Sequence, residues 1–379
     1  MARPAINVEA LRRDARRRLP KVVFDYLEGG AEDETTLAAN RSALDALRFR
    51  PRVLAGGRID TATTVLDTPL ALPLVVAPTG LNGLFWRQGD LCLARAAAAA
   101  GLAFTLSTGA NATIETVAAA VPSPPWFQLY PWGGPDFSKA LLARAAGAGC
   151  RVIVVTVDSL VPGNRERDRR NRFAHNVTLS PRIVLDGLAH PRWLASVWLA
   201  GGGMPRLETV AGFLPSGATA AQMADYSRRQ RNPAFDWDDL ARIRDGWDGR
   251  LVVKGILSPD DARRALALGC EGIVVSNHGG RQLDGAVATI DALPAVAEAV
   301  AGRAAVLMDG GIRRGTDIAR ALARGADAVM VGRAVLYGLA AGGEAGAAAA
   351  LAILAEEFAR TMRLLGCRDV AAIGGGLLG

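Results

Sequence analysis

Ser276-Asn277-His278-Gly279-Gly280-Arg281-Gln282-Leu283-Asp284 sets a histidine and an arginine three residues apart on a Gly-Gly turn. The imidazole can move a proton near neutral pH, and the guanidinium can hold a carboxylate through two parallel hydrogen bonds. The chain has only three histidines (His175, His190, His278) and three lysines (Lys21, Lys139, Lys254), so either type at a loaded position stands out. Asp309-Gly310-Gly311-Ile312-Arg313 and Gly332-Arg333 form a second pair. Glycine turns that expose backbone N–H groups beside arginines suit a phosphate. Lys254 could form a Schiff base or steady a negative charge on a cofactor, and the residues alone leave both open. Arg165, soon after Asp158, offers a second carboxylate clamp, although seven other arginines between 164 and 206 make a solvated charge run the alternative. The plainer alternatives elsewhere are a buried structural histidine and two ordinary glycine turns.

These residues need elements to bring them together. Short apolar runs recur at 73–79, 104–108, 126–130, 152–158, 251–255, 272–277, 305–311 and 328–333, most of them separated by alanine-rich helical stretches. Continuous runs without alternation are the pattern of strands buried on both faces. Eight of them predict a (β/α)8 barrel, and nearly every run ends in a polar residue, from Thr79 to Arg333. Barrel strand ends share one rim, so those residues are expected to meet. An open doubly wound sheet is the runner-up, but Pro78-Thr79-Gly80-Leu81-Asn82-Gly83 lacks the spacing of a dinucleotide turn. The expected organisation is a single domain: a helical cap over one barrel end (1–72), the barrel (73–158 and 251–379), and an insertion or lid after the fourth strand (159–250).

The 379 residues, 50% hydrophobic and 21% charged, suffice for a substantial core. The net charge of +7 lies mostly in the insertion, and without zinc-finger or RNP-type motifs it does not predict nucleic-acid binding. Cys92, Cys150, Cys270 and Cys367 lie far apart, which excludes a zinc ribbon or a disulfide scaffold and fits a reducing compartment. No metal site is expected. The N-terminus is arginine-rich without an apolar core, so no secretory signal is read there, and no stretch reads as a transmembrane helix.

The chain resembles the FMN-dependent α-hydroxy-acid oxidases and dehydrogenases. The resemblance rests on Ser276–Asp284, with APTG at 77–80, QLY at 128–130, TVD at 156–158, KG at 254–255, DGGIRRG at 309–315 and GR at 332–333. It extends from YLEGGAEDE at 26–34 to the last helix, and GNRERDRRNRF and VLDGLAHPRW inside the insertion bring it nearest the branch that oxidises (S)-mandelate. The resemblance implies His278 as catalytic base, with Asp158 stabilising its imidazolium. It implies Arg165 and Arg281 on the substrate carboxylate, and Tyr26 and Tyr130 donating to carboxylate or hydroxyl. Lys254 would then stabilise reduced flavin rather than form a Schiff base. Ala77, Pro78, Thr79, Ser107, Gln128, Thr156 and Ser276 would line FMN, and Asp309, Gly310, Gly311, Arg313, Gly332 and Arg333 would hold its ribityl chain and phosphate.

The implied reaction takes an (S)-2-hydroxy acid to the 2-keto acid, (S)-mandelate to benzoylformate first, with L-lactate dehydrogenase or glycolate oxidase activity as alternatives in the family. Gly80 stands where oxidase-type members often carry alanine, leaving room beside the flavin. A non-redox barrel that binds a phosphorylated metabolite is the alternative of a different class. Quinone or oxygen would accept the electrons, and a homotetramer is expected. Trp193 and Trp198, flanked by Arg182, Arg192 and Arg206, have the composition of a membrane-interface segment over 177–212. The protein is therefore expected on the cytoplasmic side, at the inner membrane periphery. The competing expectation is a lid that buries both tryptophans.

Overall fold

The computed structural model describes residues 5–173, 180–215 and 217–379. Eight strands form the barrel: β3 (Leu74–Val76), β4 (Ala103–Ser107), β5 (Trp126–Leu129), β6 (Val152–Thr156), β7 (Arg250–Ile256), β8 (Gly272–Val275), β9 (Ala305–Met308) and β10 (Ala328–Val331). All neighbours pair in parallel, and β10 pairs with β3 to close the sheet. Closure confirms the expected (β/α)8 barrel and excludes the open doubly wound sheet.

The apolar runs lack alternation because both strand faces are buried. Val75, Trp126, Val152, Val154, Val252, Val274, Leu307 and Met330 pack with one another inside the barrel. Their sequence neighbours, such as Val76, Ile153, Val253 and Ile273, pack outward on the helices. Local signals set the helix ends: Ser258 accepts from the Asp260 and Asp261 N–H groups, with Pro259 in the first turn and Arg264 in the last.

Residues before β3 close both ends of the barrel. A hairpin of β1 (Thr63–Val65) and β2 (Thr68–Leu70) sits under the strand N-termini, where Val65 and Leu70 join the interior cluster and Trp126 Nε1 donates to Thr68 Oγ1 at 3.1 Å. Helices α1 (Val8–Arg18), α2 (Lys21–Glu28) and α3 (Thr35–Ala46) lead over the opposite rim. The α2–α3 loop is tied there by Ala31 N–H to Gly280 O (2.8 Å) and Glu32 N–H to Asn164 O (2.9 Å).

The helical segment Arg333–Leu365 is long and apolar enough, by composition, to cross a membrane. Its backbone breaks at Gly342 and Gly343, and Tyr337, Leu351, Leu354 and Phe358 are buried in the core, so it is a pair of core helices.

The insertion departs from expectation at its tryptophans. Trp193 is buried and donates Nε1 to Leu84 O at 2.7 Å, with its ring 5.9 Å from the half-buried Trp198. A buried indole N–H needs an acceptor, and the loop after β3 supplies one. The rings therefore do not form an exposed interface belt. Among the described residues of 177–212, the exposed large apolar side chains are Val184, Leu185, Leu188 and Leu199, on helix Pro181–Ala189 and turn Leu194–Leu199. Residues 174–179, which include His175 and the start of the 177–212 segment, lie outside the described residues.

Candidate active site

Side chains alternate along a strand, so residues of one parity face the barrel axis. The innermost layer continues upward from Val75, Trp126, Val154, Val252, Val274, Leu307 and Met330 to Ala77, Gln128, Thr156, Lys254, Ser276, Asp309 and Gly332. Ser107 ends β4 in the same layer. Ala77, Ser107, Thr156, Lys254, Asp309 and Gly332 line a cavity of about 700 Å³. Gln128 and Ser276 are fully buried behind it, where Ser107 Oγ donates to Gln128 Oε1 at 3.0 Å and Lys254 Nζ to Ser276 Oγ at 2.8 Å. The cavity is also lined by Tyr26, Pro78, Thr79, Tyr130, Arg165, His278, Arg281, Gly310, Gly311, Arg313 and Arg333.

The turn after β8 delivers the histidine. His278 has φ +57°, a left-handed conformation uncommon for a residue with a Cβ, and its N–H donates to Ser276 Oγ at 3.0 Å. Its Nδ1 lies 2.8 Å from Asp158 Oδ1. Asp158 packs against Gly255, at an irregularity in the β7–β8 register. A Cβ at Gly255, whose φ is +112°, would lie 2.6 Å from Asp158 Cβ, so only glycine allows this approach. Burial raises the Asp158 carboxyl pKa, but the charges of His278 and Lys254 outweigh it and hold the group below its ordinary value. Lys254 Nζ sits 2.9 Å from Asp309 Oδ2. Burial alone would lower the ammonium pKa; Asp309 and Asp158 override it and raise the group above its ordinary value.

Arginines and tyrosines from distant segments face the histidine. Arg281 donates to Gly29 O at 2.6 Å and lies 5.3 Å from the centroid of the Tyr26 ring, and Arg165 lies 5.8 Å from the same ring. Arg165 is 3.6 Å from Asp168. Burial and then Arg165 lower the Arg281 pKa, as expected of two cations facing one enclosed space. Tyr130 stacks on Trp132 at 5.2 Å and 6°. A buried pair fixes the helical cover to this turn: Asn40 Nδ2 donates to Asn277 Oδ1 at 2.9 Å and Asn277 Nδ2 to Asn40 Oδ1 at 2.8 Å.

The opposite end of the cavity fits the phosphate and ribityl chain of FMN. Gly310 and Gly311 have φ of +93° and +88°, and a Cβ at Gly311 would lie 2.6 Å from Asn40 O. Arg333 donates to Gly279 O at 2.8 Å, while its Nε has no partner. Burial, then Arg281 and Arg313, press the Arg333 pKa down to about 9, outweighing the opposing pull of Tyr337 and Glu28. Gln128 Nε2, Thr156 Oγ1 and Asp309 Oδ1 are likewise buried without partners. Buried polar groups are ordinarily satisfied, so Arg333 Nε, Thr156 Oγ1 and Asp309 Oδ1 on the wall of one cavity fit a polar ligand such as FMN.

Sequence reasoning missed Trp132, Phe173, Met204, Leu207 and Arg231, all on the cavity wall. Trp132 was within reach, two residues beyond Tyr130. The other four belong to the insertion, where no strand period points a side chain inward.

Comparisons with known proteins agree with this geometry. A family model described as FMN-dependent dehydrogenase matches residues 15–379. The chain is 44% identical to (S)-mandelate dehydrogenase of Pseudomonas putida, covering 98% of this chain and 93% of that protein. It is 43% identical to an L-lactate dehydrogenase of Allorhizobium ampelinum, covering 96% and 95% respectively. Among solved structures it matches the monotopic membrane protein (S)-mandelate dehydrogenase at 42% identity with a TM-score of 0.94, covering 99% of each chain. It matches mandelate oxidase at 39% identity with a TM-score of 0.84, covering 99% and 98%.

Proposed function

This chain belongs to the FMN-dependent dehydrogenase family, and on that premise we propose that it oxidises an (S)-2-hydroxy acid to the 2-keto acid, (S)-mandelate first. The observation that carries the reading is one cavity holding a His–Asp pair, two arginines and two tyrosines at one end and the FMN cradle at the other.

FMN supplies the two-electron acceptor when bound. The chain supplies the rest. Arg165 and Arg281 hold the substrate carboxylate, and Tyr26 and Tyr130 donate to the carboxylate or the hydroxyl. An ionised Asp158 only accepts, so His278 Nδ1 carries the hydrogen of the 2.8 Å bond and Nε2 is left to take the substrate proton. Asp158 then steadies the imidazolium. Proton removal from the hydroxyl and from Cα both use Nε2, so these roles hold for either. Lys254 presents a fixed positive charge where negative charge develops. Ala77, Pro78, Thr79, Ser107 and Thr156 would surround the ring, backed by the buried Gln128 and Ser276, and Asp309, Gly310, Gly311, Arg313, Gly332 and Arg333 would hold the ribityl phosphate.

An apolar wall supports an aryl side chain. Leu81, Phe85, Phe173, Met204 and Leu207 line the cavity, and Gly80 leaves open the space where a Cβ would meet Gly109 O at 3.0 Å. Anaerobic mixing should therefore bleach the flavin faster with (S)-mandelate than with glycolate, by roughly tenfold or more from the buried ring. A preference for glycolate or lactate moves the assignment to those branches. A colourless protein that no 2-hydroxy acid alters favours the phosphorylated-metabolite alternative. Quinone or oxygen accepts the electrons, and the rates of reoxidation by a soluble quinone and by oxygen distinguish the two.

Peripheral membrane contact is part of the same proposal. Val184, Leu185, Leu188 and Leu199 present an exposed apolar face, and Arg182 and Arg192 are exposed beside it. Apolar side chains with flanking cations suit an anionic bilayer surface. The protein should sediment with anionic vesicles, and replacing the exposed Val184, Leu185, Leu188 and Leu199 of the 177–212 segment by serine should abolish sedimentation while substrate still reduces the flavin. Full-length protein that stays in the supernatant at low salt removes the membrane contact.

A further inference from the structure

We propose that Arg231 is a specificity-determining residue that reads a carboxylate at the far end of the substrate's side chain. This rests on the 2-hydroxy-acid reading above and extends it to the group R of R–CH(OH)–COO⁻.

Arg165 and Arg281 already make a two-arginine clamp, enough for one carboxylate. Arg231 adds a further guanidinium to the same cavity, which Tyr130 and Trp132 also line. It donates to Ser159 O at 2.7 Å, and its Nε is enclosed without a partner. No carboxylate among the described residues pairs with it. The nearby acids are committed: Asp158 to His278 and Asp168 to Arg165. Burial, with Arg165 adding to it against Tyr130, lowers the Arg231 pKa, which is the mark of a cation short of negative charge.

The position is held in place. Gln230 O accepts from Gly133 N–H, and a Cβ at Gly133 would lie 2.8 Å from Gln230 Oε1, so residues 230–231 sit tightly against the turn that follows Tyr130 and Trp132. A half-buried cation without a counter-charge costs stability. An anionic ligand group removes that cost, whereas an arginine serving only the fold could have remained in solvent. An aryl ring bearing a carboxylate satisfies both the apolar wall and Arg231.

The test compares 4-carboxymandelate with mandelate as racemates, reading the second-order rate constant of anaerobic flavin bleaching. The native holoenzyme should favour the carboxylated acid. The ratio of the two constants should fall roughly 10- to 100-fold in Arg231→Leu and less in Arg231→Lys, which keeps the charge without the fork. FMN content and thermal midpoint report whether each variant folds; if Arg231→Leu loses FMN, the fall in Arg231→Lys decides. An unchanged ratio overturns the proposal. So does a proportional loss for both acids, which would place Arg231 on the shared carboxylate. Bleaching of the native enzyme by mandelate but not by carboxymandelate overturns this inference alone, and bleaching by no 2-hydroxy acid overturns the function beneath it.

Discussion

His278→Asn should yield a yellow, FMN-containing protein whose flavin is reduced by (S)-mandelate about 10²- to 10⁴-fold more slowly than in the native enzyme, the usual worth of a general base. Asparagine is the replacement of choice because position 278 has φ +57°, a conformation that asparagine tolerates and most other residues resist. The turn carrying Gly279, Gly280 and Arg281 is thereby kept, and the loss isolates the imidazole. His278→Ala should lose as much reduction and add a stability penalty from backbone strain. Anaerobic stopped-flow on both variants, with FMN content measured alongside, checks this. Near-native reduction in either removes His278 as the base, whatever its distance from Asp158.

Lys254→Met should damage both fold and chemistry. The residue is 4% exposed, and its side chain spans Asp309 at 2.9 Å and Ser276 at 2.8 Å. Removing one partner of a buried ion pair typically costs about 3–5 kcal/mol, because the other charge stays behind. Asp309 and Asp158 would both lose a neighbouring cation. Flavin reduction should also fall about 10²- to 10³-fold, the scale for loss of one preorganised electrostatic group. Potentiometry separates the two effects: the flavin midpoint potential should become more negative. A lowered thermal midpoint with an unchanged potential would make Lys254 a structural tie and end its role in stabilising negative charge.

The sequence foretold which strand ends would meet around one cavity because the relevant signals are local. An apolar run of about five residues that ends in Lys254 or Asp309 declares a buried strand and its rim in one stretch. The glycine turns at 279–280 and 310–311 declare themselves the same way, since positive φ selects glycine wherever the chain must reverse closely. The insertion carries no such code. Its short helices take their direction from whatever they dock against, so Phe173, Met204 and Leu207 could not be assigned to the cavity from their spacing. Trp193 shows the same limit: beside Arg192 it reads as an interfacial ring, yet Leu84 O, 109 residues away, captures its N–H.

The sequence by itself determined the (β/α)8 barrel and which residues end its strands, since period, turn chemistry and strand ends are written within a few residues of one another; the FMN cradle came from the family resemblance of those same motifs. Tertiary structure alone decided which rim residues face the cavity and which, like Gln128 and Ser276, stand behind it. It also decided that β1 and β2 plug the barrel floor, that Asn40 locks onto Asn277, and that Arg231 lines the cavity with its guanidinium on Ser159 O. Each of these depends on contacts between segments far apart in the chain. Burial and hydrogen-bond satisfaction are properties of the closed structure, and no local stretch of residues carries them.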